Sequence, residues 1–367
     1  MGILTRTIGA GIGIAAIIGL SVTPTKPLAA QQLTAVEKLY AELAKLPDAE
    51  RHKKILEGAR KEGSAIMLNT TSGKPGVKHA KLFNKLFPKV KVNRGELSPP
   101  AASERIVAET RVGRHLSDSL TLSLPDMGQV LKAGIAARFP TPMTKRIWPA
   151  YRGASDPQNR WVTWQMAEQG LSYNPKMLKA MKIDPPKTRM DLCDPKYRGE
   201  VSFDTYSNRV LSGLYAIMGE AKLKEFLECM GKNKPIIMRG QSVRIRLLLA
   251  GDHAIQGSNT LYLGLRENKK NPKKAPFTAV YTEPVMVYPL GAVINSHAPH
   301  PYAAALFTDW LLTDASQAEI AKKGRGTMIA KHPFFPAEAK VVVFGLLDEA
   351  IRDRLHGYWI RNIGKKR

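Results

Sequence analysis

Apolar and polar positions along the chain follow two periods, one typical of strands and the other typical of helices. Short apolar runs predict strands at 65–69, 90–93 and 119–123. Apolar residues at helical spacing predict helices at 77–87 and 101–112. Strands that alternate with helices in this way are typical of βαβ units, whose strands form a mostly parallel sheet, so we predict an α/β fold.

The same alternation resumes after a polar, proline-rich stretch at 141–160. Long extended segments are predicted at 161–173 and 285–295. The other strands and helices predicted in this half are at 200–203, 208–218, 221–230, 235–238, 241–250, 254–256, 278–281 and 300–312. Two α/β blocks joined by extended crossing segments predict two lobes, with a ligand cleft beyond the carboxyl ends of the strands.

Capping signals and apolar spacing predict further helices near both ends of the chain. Two helices are predicted before the first strand, at 33–46 and 48–61, and the packing of the first is left open. Asp314 with Gln317 predicts a capping box at the start of another helix. Residues 344–360 predict a last helix.

The start of the chain has the three parts of a secretory signal peptide. Arg6 supplies a basic beginning, residues 8–22 form an uncharged apolar run, and small residues at 28–30 suit cleavage. The apolar run is shorter than the ~20 residues that a membrane-spanning helix needs. We therefore expect a signal peptide at 1–30 that is cleaved on export to an oxidising compartment, with an uncleaved anchor as the alternative.

The chain is strongly basic, with 56 Lys and Arg residues against 31 Asp and Glu residues and a formal charge of +25. Such an excess admits nucleic acid, anionic lipid or acidic small molecules as partners. The basic residues lack the interleaved aromatic side chains that stack bases, so we expect no nucleic-acid partner. A protein that docks on anionic surfaces, with binding that falls steeply with salt, remains an alternative hypothesis.

The two cysteines, Cys193 and Cys229, are 36 positions apart. In an oxidising compartment this pair predicts a disulfide, which adds roughly 4 kcal/mol of stability in the loop-entropy model. Two cysteines are too few for a Cys-rich zinc or iron–sulfur site.

Signatures of common catalytic sites are missing from the sequence. It has no His-Glu-x-x-His zinc motif and no Gly-x-Ser-x-Gly elbow, and the glycine spacing of a phosphate-binding loop is absent around Ser72 and Gly73. No nucleophile–base pair or acid dyad can be assembled. We therefore predict a protein that is not an enzyme and holds no metal or cofactor. The alternative is an exported two-lobed α/β enzyme that acts on a small anionic substrate.

Three predicted strands are each followed by a short polar loop and then a helix, at 70–73, 206–208 and 239–242. Each loop would aim free N–H groups and the positive end of a helix dipole at the cleft, which suits an oxygen-rich or anionic ligand. One such loop is also what an ordinary helix cap needs, but three together predict a binding cleft. The candidate ligand-binding residues in these loops are Ser72, Gly73, Tyr206, Ser207, Asn208, Arg239, Gln241 and Ser242.

Several short motifs occur in a characteristic order, beginning with Glu-Gly-Ala-Arg-Lys-Glu-Gly at 57–63. The others are at 94–95, 104–114, 191–199, 249–255 and 298–304. In order and spacing they resemble the bacterial extracellular solute-binding proteins of ABC importers, specifically the ferric-iron-type group. The resemblance implies a two-lobed periplasmic binding protein type 2 fold with a central ligand cleft. It also implies a periplasmic monomer that captures a small solute by lobe closure and delivers it to an ABC permease in the inner membrane.

In iron-binding members of the group, the resemblance implies a pair of adjacent tyrosines that hold the metal after a short polar turn. The matching stretch here is 257–262, where Tyr262 is present and its neighbour is Leu261. Ferric iron needs several hard oxygen ligands. The sequence therefore favours a small polar or anionic organic solute, with Tyr262 as a further ligand-binding residue.

The resemblance and the predicted elements together divide the chain. After the signal peptide, 31–62 is expected to be an N-terminal helical segment. Lobe 1 is predicted to comprise 63–165 and 285–367, and lobe 2 to comprise 166–284.

Overall fold

Strands and helices alternate through the part of the chain that the computed structural model describes. That part comprises residues 32–68, 73–95, 97–205, 207–322, 324–332, 335–336, 338–345 and 347–364. The predicted signal peptide lies outside it. The strands described are β1 (Ser64–Met67), β2 (Lys91–Arg94), β3 (Ser119–Ser123), β4 (Val162–Tyr173), β5 (Val201–Asp204), β6 (Ile236–Met238), β7 (Ile255–Asn259), β8 (Thr278–Ala279), β9 (Val285–Ile294), β10 (Gly326–Thr327) and β11 (Val341–Val343).

The helices cover the faces of the sheet formed by these strands. They are α1 (Ala35–Ala44), α2 (Asp48–Glu62), α3 (Gly73–Leu86), α4 (Pro99–Arg111), α5 (Gly128–Lys132), α6 (Pro175–Met181), α7 (Ser207–Lys232), α8 (Gln241–Ala250), α9 (Leu261–Lys270), α10 (Pro301–Trp310), α11 (Asp314–Ala321) and α12 (Glu349–Asn362). No helix among the described residues is long and apolar enough to cross a membrane. The predicted α/β class is confirmed.

Two groups of parallel strands lie on either side of two long antiparallel strands. The strand order is β2-β1-β3-β9-β4-β7-β5-β6. β1 runs parallel to β2 and β3, and β5 runs parallel to β6 and β7. Between them, β9 is antiparallel to both β3 and β4. The extended segments predicted at 161–173 and 285–295 are thus confirmed, as the central strands β4 and β9.

Strand β4 joins the two halves of the sheet. Its first part pairs with β9, from Val162 to Gln169, and its last part pairs with β7, from Gly170 to Tyr173. Within the pairing with β7, the register shifts between Gly170 and Ser172. A single strand therefore belongs to both halves.

Buried apolar residues form three clusters among the described residues, and the first two are the larger. In the first, the rings of Phe83 and Phe307 meet edge to face at 5.2 Å. In the second, Phe203 lies 5.9 Å from Trp359, which is on α12, and α12 packs against α7. The predicted lobe boundaries stay a prediction, and the C-terminal helix is packed in the second cluster.

The helices α1 and α2 pack on the body of the protein, which answers the question that the sequence left open. The hydroxyl of the buried Tyr40 donates to the carbonyl of Pro301 at 2.8 Å. The buried Arg51 guanidinium pairs with the Asp309 carboxylate on α10. The carboxylate of Glu62 accepts hydrogen bonds from two N–H groups at the start of α10. These contacts satisfy the free amino end of α10 and fix the N-terminal helices to it.

The capping box predicted from Asp314 and Gln317 is wrong. The N-cap of α11 is Thr313, whose hydroxyl accepts a hydrogen bond from the N–H of Ser316. Asp314 lies in the first turn, where its charge complements the helix dipole. The amide of Gln317 is buried and donates to the carbonyl of Trp164 at 2.6 Å, so it is engaged in the core and does not cap the helix.

The last helix begins later than predicted. Residues 341–343 pair with β9 as strand β11, and Asp348 then caps α12 by accepting hydrogen bonds from two N–H groups of its first turn. The apolar run that predicted a helix from residue 344 is therefore divided between a strand end and a connecting segment.

Helix α7 contains a predicted break and one cysteine of the predicted disulfide. Gly219 has φ 72° and interrupts the helix, in agreement with the two helices predicted at 208–218 and 221–230. The disulfide between Cys193 and Cys229 is confirmed, with Cα atoms 5.3 Å apart. It ties α7 to the turn that precedes β5.

Candidate functional site

Three helices begin where three adjacent parallel strands end. β7, β5 and β6 lie side by side, and they lead into α9, α7 and α8, respectively. Parallel strands end at one edge of a sheet, so the free N–H groups at the start of these helices face a common region. Two of the three connections are the loops predicted at 206–208 and 239–242. The third, at 259–260, was not predicted as a binding loop.

The structure describes only some of the ligand-binding residues predicted in the loops at 70–73 and 206–208. Ser72 and Tyr206 lie outside the described residues. Ser207 and Asn208 form the first turn of α7, at the common edge. Gly73 begins α3, after the carboxyl end of β1 in the other half of the sheet. The candidates thus belong to strand ends of both halves.

The loop before α8 presents an exposed positive charge. Arg239 and Ser242 are exposed, and Arg239 makes no hydrogen bond or ion pair with any residue that the structure describes. Gly240 has φ 97°, a conformation that glycine adopts without strain, which allows the sharp turn into α8. The side-chain oxygen of Gln241 accepts a hydrogen bond from the Thr260 hydroxyl, which links the start of α8 to the start of α9.

A buried arginine, which the sequence analysis did not single out, lies beneath this loop. Arg244 is in the first turns of α8 and is fully buried. Its Nη2 donates to the carbonyl of Ser258 at the end of β7. Its Nη1 lies 3.6 Å from Oδ2 of Asp204 at the end of β5. Burial lowers the pKa of Arg244 to about 10, although Asp204 opposes the shift.

A weak signal for Arg244 is present in the sequence. Helix α8 has no acidic residue that could pair with an arginine on its own surface, and Arg244 precedes the apolar residues Ile245 and Leu248. An arginine next to buried positions in such a helix requires a partner from another element. The partner, Asp204, is on a different strand and becomes visible only in the fold.

Tyr262 is buried at the start of α9, with charges of both signs around it. Its N–H donates to Oε1 of the fully buried Glu168 at 2.6 Å. The guanidinium carbon of Arg325 lies 5.4 Å from the Tyr262 ring centroid, and that of Arg266 lies 5.9 Å away. Burial raises the pKa of the Tyr262 phenol, and the Arg325 charge opposes the rise. The ring is therefore a neutral surface between two cations.

Leu261 is a core residue. Its side chain is fully buried, and a Cβ added at Gly170 of β4 would lie only 2.6 Å from its Cδ1. The position beside Tyr262 is thus filled by packing against the central strand. Among the described residues, no group of three or more His, Cys, Asp or Glu side chains is arranged to hold a metal ion.

An ion pair joins the two halves of the sheet near the same edge. Arg209, in the first turn of α7, donates through Nη2 to Oδ2 of Asp126 at 2.9 Å and through Nε to the Ser123 hydroxyl at 3.2 Å. Ser123 ends β3 in the other half, and Asp126 follows it. The Arg209 guanidinium also lies 5.3 Å from the ring centroid of Tyr288 on β9. The start of α7 is therefore held against the central strands.

A groove of about 1440 Å³ lies between α4, α5 and the start of α12. The charged side chains that line it include Glu104, Asp126, Glu349, Arg111, Lys132 and Arg352. Lys132 and Glu349 approach each other to 3.6 Å across it. Both signs of charge are therefore present along this groove.

This fold and edge arrangement match a known class of proteins. A family model described as bacterial extracellular solute-binding protein matches residues 126–350. The chain belongs to this family, and it is a solute-binding protein.

Solved structures with the same fold hold chemically different molecules. The periplasmic binding protein AfuA from Actinobacillus pleuropneumoniae, with exogenous fructose-6-phosphate bound, is 19% identical, with a TM-score of 0.69 over 83% of this chain and 100% of that chain. Iron-bound HitA from Pseudomonas aeruginosa is 18% identical, with a TM-score of 0.66 over 81% of this chain and 98% of that chain.

A third similar structure is the spermidine/putrescine ABC transporter substrate-binding protein PotD from Streptococcus pneumoniae. It is 15% identical, with a TM-score of 0.64 over 81% of this chain and 98% of that chain. These likenesses confirm the predicted two-lobed periplasmic binding protein fold. They leave the choice of solute to the side chains of the site.

Proposed function

We propose that the protein is the periplasmic solute-binding component of an ABC importer and that its solute is a small anionic molecule. The family places the chain among solute-binding proteins, and the similar structures come from periplasmic and transporter-linked binding proteins. The signal peptide predicted at 1–30 is consistent with export. The observation that carries the choice of an anion is the exposed, unpaired Arg239 beside the free N–H groups at the start of α8, judged among the residues that the structure describes.

Solute capture follows from the arrangement of the strand ends. Oxygen atoms of the solute accept hydrogen bonds from N–H groups at the starts of α7 and α8, and helix dipoles favour their negative charge. The two halves close about β4 and β9 and bury the solute. The permease in the inner membrane binds the closed form of the monomer. No bond of the solute is made or broken.

The position beside Tyr262 supports an oxyanion over iron. The tyrosine pair implied for iron-binding members is incomplete, because Leu261 is packed in the core. An organic or inorganic oxyanion fits these side chains better than iron does.

Replacing Arg239 tests the proposed function. We expect Arg239→Ala to weaken binding of an anionic solute about ten-fold or more, because a charge-assisted hydrogen bond is lost. The measurement is isothermal titration of the mature protein with the molecule that co-purifies with it. Arg246→Ala is the matched control, since Arg246 is an exposed arginine on the same helix.

The control should bind like the wild type. Equal affinities of Arg239→Ala and Arg246→Ala for the solute would show that Arg239 does not bind it. Conversion of the solute during the titration would contradict the proposed function and support the enzyme alternative.

A further inference from the structure

We propose that the buried Arg244 is the anchor for the oxyanion group of the solute, a carboxylate or a phosphate, at the floor of the site between α8 and α9. The inference rests on the proposed function and names the group of the solute that enters deepest. It adds a buried charge to a site that the sequence analysis described only by its exposed loops.

The guanidinium of Arg244 has N–H donors for which the described residues provide no acceptor. A guanidinium has five N–H donors in a planar fork. The Arg244 Nη2 donates to the Ser258 carbonyl, whereas Nε and Nη1 have no hydrogen-bond acceptor among the residues that the structure describes. Nη1 and Asp204 Oδ2 are 3.6 Å apart, beyond the distance of a hydrogen bond. Buried charged donors without acceptors are unfavourable, so an acceptor that is not part of the chain is expected.

The Arg244 guanidinium lies at the carboxyl ends of two neighbouring strands. Ser258 and Asp204 lie at the carboxyl ends of β7 and β5, and Arg244 is near the start of α8. The unpaired N–H groups therefore lie at the edge of the sheet to which the exposed Arg239 also belongs. Planar guanidinium groups bind carboxylate and phosphate oxygens through two N–H groups on one edge, and each unpaired nitrogen of Arg244, Nε or Nη1, shares an edge with Nη2, which has two N–H groups.

Arg244 is fully buried in this structure, so a solute needs a path to its guanidinium. Gln241 precedes Arg244 by three positions, so the two side chains share one face of α8. The hydrogen bond between Gln241 and Thr260 joins α8 to α9 above that face. A solute that enters between the two helices replaces this hydrogen bond, and its oxyanion then reaches one edge of the guanidinium.

Asp204 is the acidic partner of Arg244, with its Oδ2 3.6 Å from Nη1. Its negative charge compensates Arg244 while the site is empty and repels an incoming anion. Removing that charge should therefore strengthen anion binding. A purely structural ion pair has no such effect, which separates the two roles.

The experiment is calorimetric titration of the full mature protein with inorganic phosphate and, separately, with succinate, at matched ionic strength. The variants are Arg244→Lys, Arg244→Gln and Asp204→Asn, with Arg246→Ala as the surface control. We expect Arg244→Gln to weaken binding of the preferred probe at least about ten-fold and Arg244→Lys to weaken it less, because lysine keeps the charge but loses the fork. Asp204→Asn should bind several-fold more tightly.

Comparison of the two probes identifies the oxyanion as phosphate or carboxylate. If Arg244→Gln does not fold, the gain in Asp204→Asn and the loss in Arg244→Lys decide the question. Wild-type affinity in both Arg244→Lys and Asp204→Asn would overturn the proposal, as would failure of both probes to bind the wild type. The proposed function fails separately, if the protein chemically changes the co-purified solute.

Discussion

Single buried side chains with polar partners set much of the chemistry of this protein. His79 and His253 are both buried, and the Nε2 of each lies within hydrogen-bond distance of a serine hydroxyl, 2.9 Å from Ser316 and 3.0 Å from Ser202, respectively. Burial lowers the pKa of each imidazole from 6.5 to about 4, and nearby arginine charges contribute to the lowering. Both histidines are therefore neutral in the folded protein at neutral pH.

These histidines make stability depend on pH. Below pH 6.5 the unfolded chain binds protons that the folded chain does not bind until about pH 4, so the free energy of unfolding decreases as the pH falls through this interval. Each histidine contributes roughly 3 kcal/mol to the decrease. Urea unfolding across this range should show a smaller decrease in His79→Gln than in the wild type.

The exposed His52 provides the control for that prediction, since His52→Gln leaves the buried imidazoles in place. The free energy of unfolding of His52→Gln should decrease with falling pH as much as that of the wild type does. If His79→Gln also retains the full decrease, the account of the buried imidazole is wrong.

At the scale of residues, the sequence drew attention to the exposed loop but not to the buried ion pair beneath it. Arg239 and Ser242 were predicted as ligand-binding residues because they lie in a polar loop between an apolar strand and a helix, a purely local pattern, and that assignment stays a prediction. Arg244 and Asp204 were missed, because their pairing joins a helix and a strand that are distant along the chain. A buried charge is recognised by its partner, and the partner is given by the fold.

At the scale of elements, helix α7 offers a clear test of backbone strain. Gly219 has φ 72° in a break within the helix, and nothing lies within 4 Å of a Cβ built on it. Gly219→Ala should therefore destabilise the protein by about 1–3 kcal/mol through backbone strain alone, because φ 72° with ψ 175° is a conformation that essentially only glycine adopts. The measurement is the free energy of unfolding in urea, with the disulfide intact.

Gly153 is the matched control for Gly219. A Cβ added at Gly153 would also meet open space, but the φ of this residue is not positive. Gly153→Ala should therefore leave stability unchanged or raise it slightly. Equal effects of the two substitutions would contradict the assignment of strain to the break.

Most elements could be predicted because their signals are local. Apolar spacing and capping residues placed α2, α8 and β3 within a residue or two of their observed ends. Helix α9 was missed, since its first residues, Leu261 and Tyr262, continue the buried run of β7 and give no break in the pattern. Strand β11 was not predicted, because its pairing with β9 depends on residues far away in the sequence.

At the scale of the whole molecule, β4 and β9 define the architecture. The sequence predicted them as extended crossing segments, and from them the division into two lobes. The order of strands across the sheet was not predicted, because register and neighbour choice arise from pairing between distant segments. The contact of α12 with α7 was likewise invisible until the two helices were placed on one core.

The ion pair between Arg209 and Asp126 also belongs to this scale. It links the start of α7 to the segment after β3, so it joins the parts of the molecule that the proposed closure brings together. Its side chains are mostly buried, unlike those of the exposed Lys132–Glu349 pair at the neighbouring groove. Partly buried pairs are screened less by salt than exposed ones, so this contact is the stronger link between the halves.

The central claim is that the exported chain captures a small anion and releases it unaltered. Native mass spectrometry of protein purified from the periplasm, followed by identification of the released molecule, measures this directly. The account predicts one anionic molecule per chain, with the same mass after prolonged incubation with fresh protein. Recovery of a chemically changed molecule, of a polycation, or of no molecule from a protein that also binds no added anion would contradict it.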